Sequence, residues 1–362
     1  MTTLLDRRQS IASGERGQAF VMVALLLAVF GGMVAIAVDF GAMATDRRDL
    51  QNAADAIALA AAQELPDEAA AQVTAESWAT KNDIALSEME LTFVAQSVNE
   101  PNPKVIVELA QDHEFIFARL IGVTNAEVGA SAASIKTSPA GGEGVVPLSV
   151  TEPALEGVVY GDPVVLKYDA TEILTGNTAP IRIDDPGSGN CTSSDNYCAG
   201  VKYGSQATVC AEGTDDTYCT GASVVDTEPG NKVGATRNAV NWRIANTAVE
   251  CDEFDEVFED DPTTAEVGVY SLVPECNPFL PGGYLSNRVI VIPVIEALCN
   301  GSCEVTIVGF ALFFLEGFET PGSCTGNECE VIGRFARVEQ NIGLLAGTFD
   351  ADSELQFVRL VS

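Results

Sequence analysis

The chain has 362 residues, and its 52 Asp and Glu against 19 Lys and Arg give a net charge of −33 at pH 7. This charge argues against a nucleic-acid binder, because a polyanion would be repelled and no basic stripe offsets the repulsion. The single histidine, His113, excludes most hydrolase and catalytic zinc chemistry. At about 100–200 residues per domain, a chain of this length is expected to form two or three folding units.

The first strong feature is an uncharged apolar run at residues 19–38. As a helix, with a rise of about 1.5 Å per residue, it spans about 30 Å, which is the thickness of the hydrocarbon core of a bilayer. A cleaved signal peptide is the competing interpretation, but its apolar core normally has only about 7–15 residues. No small-residue cleavage site follows Val38. We therefore predict a transmembrane helix at 19–38, preceded by a cytoplasmic segment at 1–18.

The orientation of this helix is predicted from charged residues and cysteines. Three arginines precede the run and two follow it, which slightly favours a cytoplasmic N-terminus. All ten cysteines lie between Cys191 and Cys329. Their even number and short spacings indicate disulfides in an oxidising compartment. We expect a single-pass protein of the cell membrane, with the bulk of the chain extracytoplasmic.

An apolar stripe with helical spacing continues beyond the membrane, so the helix is predicted to continue too. The stripe is mostly alanine, which suits close packing against another helix and indicates a face for a partner helix, formed by Leu50, Ala53, Ala54, Ile57, Ala58 and Ala61. Packing on the chain's own globular part is the alternative. Asp39 marks the membrane boundary, either as an interfacial residue or as a contact to a partner's basic group or backbone.

A small α+β layer is predicted after the long helix. Pro66 followed by two acidic residues predicts a second helix that ends near residue 80. Changes in hydrophobic period and turn residues predict further elements, namely strands at 89–98, 104–110 and 126–136 and a short helix at 115–121. Residues 39–137 are thus expected to form a pilin-like module.

Residues 138–144, with the sequence SPAGGEG, are predicted to be a linker. Beyond it, short apolar runs separated by Gly, Pro, Asn and Asp predict a β-rich domain at 145–362. We expect strands at 145–150, 158–168, 267–273, 288–295, 305–315 and 331–338, and a helix at 235–247. The predicted fold class is α+β: a transmembrane helix, a pilin-like module and a β-rich, Cys-rich exported domain.

Four segments carry a resemblance to a known family, and they read RGQA at 16–19, the apolar run, AVDFG at 37–41 and LQNAADAIALA at 50–60. Together they resemble the Flp pilus-assembly TadE/TadG-like family, the Tad domain. The resemblance implies a membrane-anchored, non-catalytic component of pilus assembly, tight adherence or associated export. Its expected partners are the membrane and other pilus-assembly or secretion components. It implies no catalytic residue and no cofactor.

Type IV pilins are similar only in outline. Gly14 or Gly17 would be the residue before a prepilin-peptidase cut, but the glutamate usual five residues later is replaced by Ala19 or Met22. Processing is therefore disfavoured, and a subunit built like a major pilin is not expected.

The short spacings of the cysteines suggest local disulfides, although sequence alone does not determine the connectivity. The pairs suggested by proximity are Cys191–Cys198, Cys210–Cys219, Cys251–Cys276, Cys299–Cys303 and Cys324–Cys329. A zinc site formed by the last four cysteines is the alternative. Export and the presence of six other cysteines favour disulfides.

Acidic segments at 250–261 and 184–190 raise the question of a calcium site, because Ca²⁺ prefers clustered carboxylate oxygens. Neither has the residue order of an EF-hand, so we predict solvated acidic surfaces. No Gly-x-Ser-x-Gly or P-loop motif is present, and no carboxylate pair stands out as that of a glycosidase. An extracytoplasmic adhesin or ligand-binding module, with or without Ca²⁺, is the alternative to an assembly protein, and an exported hydrolase is a third hypothesis.

Overall fold

A computed structural model gives the structure of the chain. It describes residues 15–169, 179–183, 196–260, 269–280, 286–319, 324–326, 328–338, 342–351 and 353–361. The helices are α1 (Glu15–Gln63), α2 (Glu68–Lys81), α3 (Glu152–Leu155), α4 (Asn196–Tyr203), α5 (Val233–Ala245) and α6 (Phe254–Val257). Most of the predicted cytoplasmic segment, up to residue 14, lies outside the described residues.

Sixteen strands are found in the described part of the chain. They are β1 (Met89–Val94), β2 (Lys104–Glu114), β3 (Asn125–Thr137), β4 (Pro139–Gly142), β5 (Val150–Thr151), β6 (Pro163–Lys167), β7 (Ile181–Arg182), β8 (Val209–Cys210), β9 (Val224–Thr227), β10 (Phe258–Asp260), β11 (Val269–Leu272), β12 (Val289–Ile295), β13 (Glu304–Phe318), β14 (Val331–Val338), β15 (Leu345–Ala346) and β16 (Phe357–Val361).

The long helix α1 has 49 residues and ends at Gln63, shortly before Pro66. A proline disfavours helical geometry at the residue before it, which explains this end. The next helix, α2, begins after Asp67, whose side chain accepts hydrogen bonds from the amides of Ala69 and Ala70. Such an acidic N-cap satisfies amides that the first helical turn leaves unpaired.

An antiparallel sheet packs against α1, with the strand order β1-β2-β3-β16. The predicted strand at 89–98 ends earlier, at Val94, whereas that at 104–110 extends to Glu114. The predicted helix at 115–121 is only a 3₁₀ turn, Ala118–Ile121. Helix and strand are thus mixed in this part of the chain, as expected.

The fourth strand of this sheet comes from the C-terminal end of the chain. β16 pairs with β3, with Phe357 opposite Thr137 and Val361 opposite Ala133. The predicted division at 138–144 therefore does not separate two independent units, because residues from the far side of that division complete the N-terminal sheet.

The prediction of a linker at 138–144 is also wrong, because Pro139–Gly142 forms the buried strand β4, which lies between β15 and β8. A Cβ atom on Gly141 would clash with the carbonyl oxygen of Val209. Glycine is required here because the two strands approach closely. A glycine-rich segment of this kind has the same composition as a flexible linker, which is why the sequence predicted one.

The largest sheet contains nine strands among the described residues, with the order β10-β11-β14-β13-β12-β5 and with β6, β9 and β7 attached at the sides. Alternate residues of β12 enter two different cores: Val289 and Val291 face one, and Ile290 and Ile292 face the other. Because both faces are covered, the strand is continuously apolar, which made it recognisable in the sequence.

Several predicted elements of this region differ in length. The predicted strand at 145–150 is reduced to β5, the one at 158–168 to β6, and the one at 305–315 is extended to β13. The strand predicted at 331–338 has the same bounds as β14, and the predicted helix at 235–247 corresponds to α5.

Candidate functional site at the base of the long helix

The long helix α1 has two parts with different surroundings. Between Phe20 and Val38 its large apolar side chains are 44–76% exposed. The most apolar window has a mean hydropathy of 2.8, and none of it is buried. Within the described part of the chain, this helix is the one that is long and apolar enough to span a membrane. After residue 38 the helix packs against the folded module.

The alanine-rich stripe lies inside that module. The six residues considered as a partner-helix face are all buried, and they pack against α2 and the sheet: Leu50, Ala53, Ala54, Ile57, Ala58 and Ala61. Their neighbours include Ala71 and Ala75 of α2 and Val105 of β2. Small side chains on both helices permit a close approach, so the stripe serves internal packing. The partner-helix interpretation does not hold for these residues as folded here.

Asp39 contacts the loop that joins β2 to β3, residues 115–124, here called the 115–124 loop. Its carboxylate oxygens accept hydrogen bonds from the backbone amides of Ile116 (3.0 Å), Phe117 (3.1 and 3.2 Å) and Ala118 (2.7 Å). Asp39 is only 4% exposed. The carboxylate is therefore satisfied by backbone donors of its own chain, rather than by the basic group or backbone of a partner. Its position at a membrane boundary remains a prediction.

Further contacts join the sheet to α1 in a regular order. Going along α1 toward its apolar end, Gln63 O accepts from Lys136 Nζ (2.5 Å), and Gln51 donates to Ser131 O (3.0 Å). Next, Asp46 Oδ2 lies 2.6 Å from Nδ1 of the buried His113. The only histidine of the sequence thus ties β2 to the helix.

The long helix is also the part of the chain that matches a known protein family. The family model of Tad, the Flp pilus-assembly TadE/G-like proteins, matches residues 17–64. We call residues 17–64, the range similar to Tad proteins, the Tad segment. The matched range coincides closely with α1, from the start of its apolar run to its end. No curated protein and no solved structure matches the chain.

Outside the Tad segment, the structure brings together four of the suggested cysteine pairs. Disulfides join Cys210 to Cys219, Cys251 to Cys276, Cys299 to Cys303 and Cys324 to Cys329. The suggested Cys191–Cys198 pair lies outside the described residues, because Cys191 does. In this arrangement the four cysteines of the zinc alternative are oxidised and offer no thiolates.

The acidic segment at 250–260, in the C-terminal part of the chain, buries its apolar residues and exposes its charged ones. Phe254 and Val257 are buried in a core, whereas Asp255, Glu256 and Glu259 are exposed. In the described part of the chain, no group of three or more His, Cys, Asp or Glu could hold a metal ion. Residue 261 and the other acidic segment, 184–190, lie outside the described residues.

Proposed function

We propose that this protein is a membrane-anchored, non-catalytic structural component of a Flp pilus-assembly or tight-adherence system. The Tad match at residues 17–64 carries this proposal, because the family supports a role related to Flp pilus assembly. The partners are the membrane and other components of the same pilus-assembly or secretion system.

In this proposal, residues 19–38 anchor the chain in the membrane. An exposed apolar surface of that length is stable in lipid and costly in water. The N-terminus lies in the cytoplasm, and the rest of the chain lies on the other side. The four disulfides support this orientation, because disulfides persist in oxidising compartments and are rare in the cytosol.

The remaining chain, in this view, presents a folded acidic surface to the pilus or to the exterior. The internal stripe of α1 is closed to partners, so contacts with other components use either the apolar part of α1 within the membrane or the exposed surface of the sheets.

The proposal is tested by deleting the gene in a cell that forms Flp pili and restoring it with variants. We expect the deletion to abolish pili, as counted by electron microscopy, and the full chain to restore them. A matched variant replaces residues 19–38 by an unrelated apolar span of equal length. This variant keeps the membrane anchor but loses contacts that depend on the side chains of residues 19–38. Its pilus number therefore shows whether anchoring alone is sufficient.

Unchanged pilus numbers in the deletion strain would overturn the assembly proposal. If pili are normal but surface adhesion is lost, the chain is an adhesin or ligand-binding module instead. Repeating the adhesion measurement with a calcium chelator then shows whether that binding depends on Ca²⁺.

A further inference from the structure

The 115–124 loop exposes an apolar surface where a loop tip is normally polar. Its exposed fractions are 83% for Leu120, 83% for Ile121, 59% for Ile116, 46% for Val123 and 38% for Phe117. Clustered exposed apolar side chains indicate a surface that something other than water covers.

The position of this loop follows from the contacts along α1. His113 meets Asp46, and three residues later Ile116 meets Asp39. Seven helical residues rise about 10.5 Å and three extended residues about 10 Å, so the end of β2 runs alongside α1. The direction is toward the apolar part of the helix. The last amide held by Asp39 is that of Ala118, so the turn that follows lies beside the end of the apolar run.

The backbone of the turn is satisfied internally. The amides of Leu120, Gly122 and Val123 donate to carbonyl oxygens of Phe117, Arg119 and Ala118, respectively. Asp39 accepts from the three preceding amides. The amide of Phe115 also donates to the carbonyl oxygen of Thr124 (3.0 Å). A segment that enters lipid must satisfy its backbone groups without water, and this loop fulfils that condition for seven of its amides.

The polar side chain at the tip is turned back toward the protein. Arg119 Nε donates to the carbonyl oxygen of Phe115 (2.7 Å), and its guanidinium lies 3.4 Å from Glu114. Around this ion pair, in which Arg119 is 52% and Glu114 81% exposed, the rest of the exposed surface of the tip is mainly apolar. It continues the exposed apolar surface of α1, where Val38 and Phe40 flank Asp39.

We propose that the 115–124 loop is a second membrane-contacting element, which inserts Leu120 and Ile121 into the lipid beside α1. The inference rests on the proposed anchoring by residues 19–38. A helix alone leaves the attached module free to rotate and tilt on the membrane surface. A second point of insertion, held to the helix by Asp39, restrains both motions and so sets which face of the module is presented to partners.

The test places a polarity-sensitive nitrobenzoxadiazole amino acid in the full chain, reconstituted in phosphatidylcholine vesicles. The probe replaces Leu120, and matched variants carry it at Phe30, within the apolar run, and at Val98. Val98 is also exposed and apolar, but it lies in the loop at the opposite end of the same sheet. Nitroxide-labelled lipid quenches probes in the membrane, and iodide quenches those in water.

We expect lipid nitroxide to quench the probes at 30 and 120 several-fold more than the probe at 98, and iodide to show the reverse order. If the probe at 120 is quenched by iodide while that at 30 is quenched by nitroxide, the loop lies in water and the inference is overturned. Shielding of position 120 from both quenchers would mean that a second protein surface covers it, which also overturns the inference. Absence of nitroxide quenching at 30 would instead overturn the anchoring itself.

Discussion

Asp39 illustrates how one side chain connects the exposed apolar part of α1 to the folded module. Replacing it with alanine leaves the amides of Ile116, Phe117 and Ala118 without their acceptor. Losing charge-assisted hydrogen bonds at a buried position costs at least about 2 kcal/mol. We therefore expect Asp39→Ala to speed hydrogen exchange of these three amides by about 30-fold, since about 1.4 kcal/mol corresponds to a factor of ten.

The control for this measurement is Asp49→Ala, which removes an exposed carboxylate of the same helix. Exchange in the 115–124 loop should be unchanged in this variant. Equal exchange rates in the two variants would contradict the role assigned to Asp39.

Lys167 makes the stability of the C-terminal region depend on pH. It is fully buried, and its ammonium donates to Asn231 Oδ1 (2.8 Å) and to the carbonyl oxygen of Cys329 (3.0 Å). Burial lowers the pKa of Lys167 from 10.5 to about 8, although Asp169 and Glu330 oppose the shift. The folded state therefore binds fewer protons at this site than the unfolded state between these two values, and its stability rises with pH there.

We expect the free energy of unfolding to gain up to roughly 3 kcal/mol from this group as the pH rises from about 8 to about 10.5, at about 1.4 kcal/mol per pKa unit. Lys167→Met should flatten the dependence in this window, as measured by urea unfolding of the full chain in detergent. If the free energy of unfolding depends on pH equally in the unchanged chain and in Lys167→Met, the role assigned to Lys167 is refuted.

At the scale of elements, the pairing of β16 with β3 is expected to stabilise the N-terminal sheet. Arg359 and Leu360 are exposed, so their side chains contribute little to packing. Adjacent amides of a strand point to opposite sides, so replacing both residues with proline removes whichever amide faces β3. We expect faster hydrogen exchange in β3 at residues 133–137 and a loss of at least about 1 kcal/mol in stability.

The matched control replaces both residues with alanine, which keeps the backbone donors. Exchange in β3 should remain slow in this variant. If the double-proline chain also keeps β3 protected, the pairing of β16 with β3 does not exist in solution.

The disulfides give a second prediction at this scale. When a disulfide acts by restricting the unfolded chain, it stabilises the fold more if it closes a longer loop. Cys251 and Cys276 are 25 residues apart, whereas Cys299 and Cys303 are 4 apart. Replacing each pair with alanine should cost about 3.5 kcal/mol for the first and about 2 kcal/mol for the second. Burial of Cys251 and Cys276 in a core widens the difference.

Urea unfolding of the two double-alanine chains under non-reducing conditions measures this order. A larger loss from the Cys299–Cys303 pair would contradict it.

For the whole molecule, the main prediction is the orientation in the membrane. Single cysteines replace Ser10 or Val98, and an impermeant maleimide is added to spheroplasts with an intact cytoplasmic membrane. We expect labelling at position 98 at once and at position 10 only after permeabilisation. Labelling of position 10 in intact spheroplasts would reverse the proposed topology.

Val98 is a suitable reporter position because its side chain is fully exposed. Ser138 lies in the predicted linker and would have been the natural position from sequence alone. However, it is buried and hydrogen-bonds to the carbonyl oxygen of Asp350 (3.1 Å), so a cysteine there would be inaccessible even on the correct side.

Much of the helical part of the fold could be predicted because its signals are local. The apolar run, the stripe from Leu50 and the Pro66–Asp67 signal each depend on neighbouring residues, and the structure has α1 and α2 in those places. The buried strands β12 and β14 were recognisable for the same reason. The structure of the 115–124 loop could not be predicted in this way. Its apolar residues predicted a helix, and neither its exposure nor its position beside Asp39 follows from composition.

The sequence by itself determined that the chain has a long apolar helix, a similarity to Tad proteins at residues 17–64 and closely spaced cysteine pairs, because these are properties of residues near one another in the chain. Only the tertiary structure decided that β16 completes the N-terminal sheet, that Gly141 belongs to a packed strand and that Asp39 holds the 115–124 loop. These contacts join residues that are far apart in the sequence. A local pattern carries no information about which distant backbone will supply the partner, so packing of the whole chain is needed to select it.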